Sequence, residues 1–165
     1  MARYETFQPR NAADFRSNYL DALQLIERLH RLLLDVVKDE FERLSMLEIN
    51  AVQGLLLFNV GDNEVTAGEL KSRGYYQGSN VSYNLKKLVE LGYMHHERCT
   101  IDRRAVRVRL TEKGREVRDA VSALFDRQAD GVQHTGVLSD AGLIEAVSSL
   151  RRVERFWADQ IRYIY

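Results

Sequence analysis

Gly92-Tyr93-Met94-His95-His96-Glu97-Arg98, followed across a short charged gap by Val106-Arg107-Val108-Arg109-Leu110-Thr111-Glu112-Lys113-Gly114, decides the fold. Val106, Val108 and Leu110 alternate with Arg107 and Arg109. This is the two-residue period of a strand with one face inward and one in water. Tyr93 to Cys99 reads as the partner strand, and the polar residues between them as the loop of a hairpin. Gly92 ends the helix before the hairpin and Thr111 caps the one after it, running to about Asp130.

Upstream, an apolar period predicts a helix from Glu48 to Asn59, stopped by Gly61-Asp62-Asn63. Thr66 then caps a short helix to Arg73, broken by Gly74. Beyond the link Tyr76-Gln77-Gly78, Ser79 caps a further helix. At 100° per residue Val81, Leu85 and Leu88 share one face of it, with Ser79, Asn80, Tyr83, Lys86, Lys87 and Glu90 opposite. A short helix, a turn and a helix with one packing face and one polar face make a helix-turn-helix, whose second helix reads base edges with its N-terminal residues. Asn80, Tyr83 and Asn84 occupy that part. An asparagine amide donates and accepts at once, as adenine's edge requires, and Ser79 and Ser82 can pair with several bases. Lys86 and Lys87 suit phosphates. Alone, the same pattern also describes any amphipathic surface helix.

The flanks are longer. From Ala12 to Leu44 apolar residues recur in steps of three and four, and Leu20, Leu25, Leu32, Leu34 and Val36 widen the stripe beyond one core face. A last helix runs from Ser139 or Asp140 to the end, with Leu143, Val147, Leu150, Trp157, Ile161 and Ile164 in one seam. The fold class is therefore mainly α with a small β-hairpin: a winged helix-turn-helix lobe (48–111) flanked by N- and C-terminal dimerisation helices (12–44 and 112–165), all in one domain of 165 residues.

Composition is neutral, with 24 basic and 24 acidic residues, so any nucleic-acid contact must be local. Residues 98–118 hold eight basic side chains against three acidic, whereas 119–145 hold five acidic and one basic. Phosphate binding needs a patch of the first kind. One cysteine excludes an intramolecular disulfide, and no stretch reads as a signal peptide or a membrane span, so the expectation is a cytoplasmic protein without a membrane role. No phosphate loop, dinucleotide fingerprint, G-x-S-x-G or H-E-x-x-H is present. His95 and His96 point to opposite faces of a strand, which argues against a shared metal. The expectation is no enzyme, no cofactor and no metal.

The spacing of Gly92-Tyr93-Met94, Asp102-Arg103-Arg104, Val106-Arg107-Val108, Leu110-Thr111 and Gly114 resembles the glycine, D-x-R and L-T-x-x-G signature of the MarR family of winged-helix regulators. Leu70, Val81-Ser82, Leu85 and Leu88 stand where that family packs its helix-turn-helix. The alphaproteobacterial LdtR-like branch is the nearest in character. The resemblance implies that Arg104 reaches a minor groove or phosphate at the wing tip, that Asp102 holds the hairpin, and that Arg103 contacts phosphate. His96 departs from it, standing where the family often has a basic residue.

The family reading also implies partners: double-stranded DNA at a pseudo-palindromic operator, a second copy of the chain as homodimer, and a small apolar or aromatic effector modulating what is expected to be a repressor. Leu33, Val37, Leu55 and Phe58 could line an effector cavity, though plain core packing is the more ordinary role for each of them. Two recognition helices about one turn of DNA apart, roughly 34 Å, would supply the specificity one helix lacks. Two alternatives stand beside this reading. One is a winged helix used for protein contacts; the other is a regulator switched by oxidation of Cys99 in the hairpin.

Overall fold

A computed structural model of the chain describes residues 12–72, 78–98 and 106–164. In order these form α1 (Ala12–Arg43), α2 (Ala51–Val60), β1 (Val65–Thr66), α3 (Ala67–Ser72), α4 (Gly78–Glu90), β2 (Met94–Arg98), β3 (Val106–Leu110), α5 (Glu112–Thr135) and α6 (Asp140–Ile164). Two compact units emerge. The first runs through Val121, and the second takes the chain from Ser122 onward.

The helix ends follow local chemistry. α1 closes on Ser45, in the left-handed region at φ 58°, with Ser45 N–H bonded to Glu42 O and Met46 N–H to Phe41 O. α2 starts at Ala51 rather than at Glu48. Asn50 caps it by accepting from Gln53 N–H at 2.9 Å, and Gln53 returns the bond by accepting from Asn50 N–H. A second capping box joins Thr66 and Glu69 at the head of α3. α4 includes Gly78 and Ser79, so Ser79 lies in its first turn and is not the cap. α5 continues to Thr135, past the expected end at Asp130, because Gly131 is tolerated within a helix and Gly136 at φ 67° supplies the left-handed stop.

The sheet has three strands in the order β1-β3-β2, one more than a hairpin. Val65 pairs with Val108 and Thr66 with Arg107, while Met94 to Arg98 run antiparallel to Leu110 to Val106. Val108 and Leu110 are buried and Arg107 and Arg109 exposed, as the alternation predicts.

The core of the first unit joins Val37 and Phe41 of α1, Leu56, Leu57 and Val60 of α2, Leu70, Val81 and Leu88 of the helix-turn-helix, Met94, Val108 and Leu110 of the sheet, and Val117 and Val121 of α5. Each such side chain removed from water contributes about 1.5–3 kcal/mol. Two glycines are sites of close approach. A β-carbon at Gly54 would overlap the Phe41 ring, and one at Gly114 would overlap Tyr93 O. That second contact explains the L-T-x-x-G pattern. Thr111 N–H donates to Tyr93 O at 3.1 Å, Thr111 Oγ1 donates to Gly92 O and accepts from Gly114 N–H, so α5 starts against the backbone where the wing leaves α4. In the second unit, Ser139 Oγ caps α6 by accepting from Gly142 N–H.

Candidate nucleic-acid interface

The geometry of α4 comes from which of its faces the core takes. Val81, Leu85 and Leu88 are buried, and Asn80, Ser82, Tyr83, Lys86 and Lys87 are exposed. Tyr83, at 66% exposure, is a large hydrophobic side chain of α4 left open to solvent. The helix ends in a Schellman motif. Gly92, at φ 78°, donates to Val89 O, and Tyr93 N–H donates to Leu88 O at 2.9 Å. Asn84 differs from expectation: it is half-buried, and its amide donates to Asn80 O at 2.9 Å, so part of its hydrogen-bonding capacity is committed to its own helix. Ser79 lies on the backbone of the first turn. Lys86 and Lys87 each approach Glu90, at 3.9 and 3.8 Å. These are exposed pairs of little energy, and they leave both lysines in solvent.

Asp102, Arg103, Arg104 and Cys99 lie outside the described residues. Among the described residues, several basic side chains of the hairpin and of α5 have carboxylate neighbours. Arg107 pairs with Glu64 at 3.7 Å, Arg109 with Glu97 at 3.6 Å, Lys113 with Glu48 at 2.5 Å and Arg115 with Glu112 at 3.1 Å, while Arg118 pairs with both Asp62 and Asp119. Five of the eight basic side chains counted in that stretch thus have carboxylate neighbours, and of the six carboxylates involved only Glu112 lies within it.

Behind α4, a cluster that sequence reading missed joins three segments. Glu48, from the turn before α2, accepts from Tyr93 Oη at 2.7 Å and from Lys113 Nζ at 2.5 Å. Lys113 Nζ also donates to Leu91 O at 3.1 Å and sits 4.2 Å above the Tyr93 ring. The Lys113 hydrogen bond, then that of Tyr93, holds the Glu48 carboxyl below its ordinary range. The bond to Glu48 raises Lys113, and burial, then Glu48, raises the Tyr93 phenol. The partners are separated by 45 and 65 positions, which hides the cluster from any local pattern.

Of the expected effector residues, Val37 is fully buried in the core, so it packs rather than lines open space; Leu33 is exposed, and Leu55 and Phe58 are half-buried. A cavity of about 370 Å³ at the end of α1 is lined instead by Leu34, Lys38, Phe41, Met46, Leu47 and Ile49, among others. Among the described residues no helix is long and apolar enough to cross a membrane.

Residues 49–114 match a family described as a winged helix DNA-binding domain. The chain is 30% identical over 154 residues to the exopolysaccharide II synthesis transcriptional activator ExpG of Rhizobium meliloti (strain 1021), covering 93% of this chain and 79% of that one. The chain belongs to the MarR family of winged-helix transcriptional regulators. It is a regulator with a DNA-binding winged helix and, like these relatives, not an enzyme. Its fold is that of MarR-family structures. A Listeria monocytogenes member complexed with 26mer DNA superposes with TM-score 0.72 at 17% identity, covering 86% of this chain and 92% of that one. Staphylococcus aureus MarR in complex with salicylate and kanamycin gives 0.69 at 19% identity, with 90% and 97% covered.

Proposed function

We propose that this MarR-family chain binds pseudo-palindromic operators as a homodimer, with α4 in the major groove. The observation that carries the reading is the exposed polar face of α4, with Asn80 and Tyr83 near its start and Lys86 and Lys87 further along. Asn80 and Tyr83, flanked by Ser79, Ser82 and Asn84, choose the sequence; Lys86, Lys87, Arg103 and Arg104 supply affinity, and Asp102 holds the wing. Exposed Phe15, Leu25 and Leu29 on α1 and Leu143, Leu150 and Ile161 on α6 supply apolar surface for a second copy. Selecting genomic fragments with the purified protein tests the reading. An enriched palindrome is the expected result, and a protein that enriches none lacks site-specific function. Asn80→Ala and Tyr83→Ala then change the preferred operator, costing about 1–3 kcal/mol for the native one, whereas Lys86→Ala weakens all DNA alike and lowers the salt slope by about 1. Binding that ignores salt and the Arg104→Ala change favours a protein-contact module instead.

The sign of regulation depends on where the operator lies relative to its promoter. The resemblance led to the expectation of a repressor, and the name of the Rhizobium meliloti relative favours an activator. A promoter fusion with and without the gene distinguishes them. An apolar or aromatic effector is also part of the reading, supported by the salicylate in the Staphylococcus aureus structure and by the half-buried Leu55 and Phe58 beside exposed Leu33. Such a ligand works only by preferring one spacing of the recognition helices. Salicylate that leaves both DNA affinity and Tm unchanged removes its first candidate. Oxidant-insensitive DNA binding eliminates the alternative switch at Cys99.

A further inference from the structure

The two neighbouring histidines of β2 face different surroundings. His95 pairs across the sheet with Arg109 and lies with Glu64, Glu97 and Arg107 on the outer face. His96 pairs with Val108, so it shares the inner face that turns towards α4. There a depression of about 490 Å³ separates α4 from the sheet. Leu85, Val89 and Val108 form its floor, and Ser82, Lys86, Glu90 and His96 its rim. His96 is exposed, as are Ser82 and Lys86.

A helix about 10–12 Å across fills a major groove about 12 Å wide, so a sugar-phosphate backbone runs along each of its flanks. Tyr83 faces outward from the α4 core side, while Ser82 and Lys86 lie on the flank nearest the sheet. The backbone on that flank therefore passes over the depression, within reach of groups on both of its walls. We propose that His96 is a DNA-backbone contact whose protonation sets affinity: charged, it shares a phosphate with Lys86, and neutral, it leaves that phosphate to Lys86. This rests on the reading that α4 enters DNA. Among the described side chains, the charged groups facing His96 are Lys86 and Glu90 of α4, of opposite sign, and the neighbouring inner-face residues Met94, Val108 and Leu110 are apolar. A phosphodiester entering between Lys86 and His96 stabilises the imidazolium, so binding takes up a proton and strengthens as pH falls through the range in which imidazoles titrate.

The test uses the full chain and a mixed-sequence duplex, since phosphate contacts do not depend on sequence. Wild type binds about tenfold more tightly per protomer at pH 5.5 than at pH 8, with a salt slope steeper by about 1. His96→Gln keeps the pH 8 affinity and loses the difference, while His96→Lys holds the acid-form affinity at both pH values. His95→Gln, on the opposite face, behaves as wild type. If His96→Gln retains the wild-type difference, or His95→Gln abolishes it, the proposal is overturned while DNA binding stands. A wild-type protein that binds no duplex at either pH overturns the reading of α4 itself.

Discussion

Helices α2 and α6 are both rich in apolar side chains, and water meets them in opposite ways. α2 packs Leu55, Leu56, Leu57 and Phe58 into ten residues, with Leu56 and Leu57 almost wholly out of solvent. α6 carries Leu143, Ile144, Val147, Leu150, Phe156, Trp157 and Ile161, every one of them more than a third exposed. The difference separates two uses of the same chemistry. α2 holds the chain's own winged-helix lobe together, and α6 leaves its apolar side chains exposed, the surface that the proposed homodimer would cover.

Truncation of one side chain in each helix puts the contrast at risk. Leu57→Ala removes a fully buried side chain and lowers stability by about 2–5 kcal/mol in urea denaturation. Leu150→Ala, half-exposed, changes the stability of the dissociated chain by no more than about 0.5 kcal/mol and instead weakens self-association in sedimentation equilibrium. Equal losses from the two changes, independent of protein concentration, would break the comparison.

Glycines sharpen it. Gly114→Ala forces a β-carbon against Tyr93 O and costs about 1–3 kcal/mol. Gly131→Ala, within α5 of the second unit and facing open space, stabilises by about 0.5–1 kcal/mol through backbone entropy alone. Thermal unfolding of both variants reads the opposite signs directly.

The smallest effect concerns Glu48. Its carboxyl is held below its ordinary range in the folded chain, so its contribution is present at neutral pH and disappears as pH falls through the folded-state value. Glu48→Gln therefore lowers Tm slightly at neutral pH, and the gap from wild type closes in acid. A gap that widens in acid would remove the cluster from the account of how α5 is tied to the wing.

The helices and the wing strands were legible because their signals are local: three-and-four spacing in α1, α4 and α6, alternation from Val106 to Leu110, and Gly92 and Thr111 as punctuation. β1 escaped because Val65-Thr66 is too short to show a period, and its pairing with β3 spans some forty residues. The start of α2 was misread because Glu48 belongs to the turn, where it serves Tyr93 and Lys113, while the capping pair Asn50 and Gln53 lies just beyond. The polar face of α4 was readable at Asn80, Tyr83, Lys86, Lys87 and Glu90, but not the half-burial of Asn84 and its bond to Asn80 O. The neutralisation of Arg107, Lys113 and Arg118 was not, since Glu64, Glu48 and Asp62 come from distant turns. The depression beside His96 needed the strand register and the helix face together.

Because Asn80, Tyr83, Lys86 and Lys87 project from α4 while Val81, Leu85 and Leu88 hold it in place, the exposed set can change without disturbing the packing of the buried set. A change at Gly114 or Leu88 acts first on folding stability. Changes at exposed Asn80 or Tyr83 leave that packing intact, so under the proposed reading duplicated copies of this gene would diverge in the operators they prefer while inheriting the same scaffold.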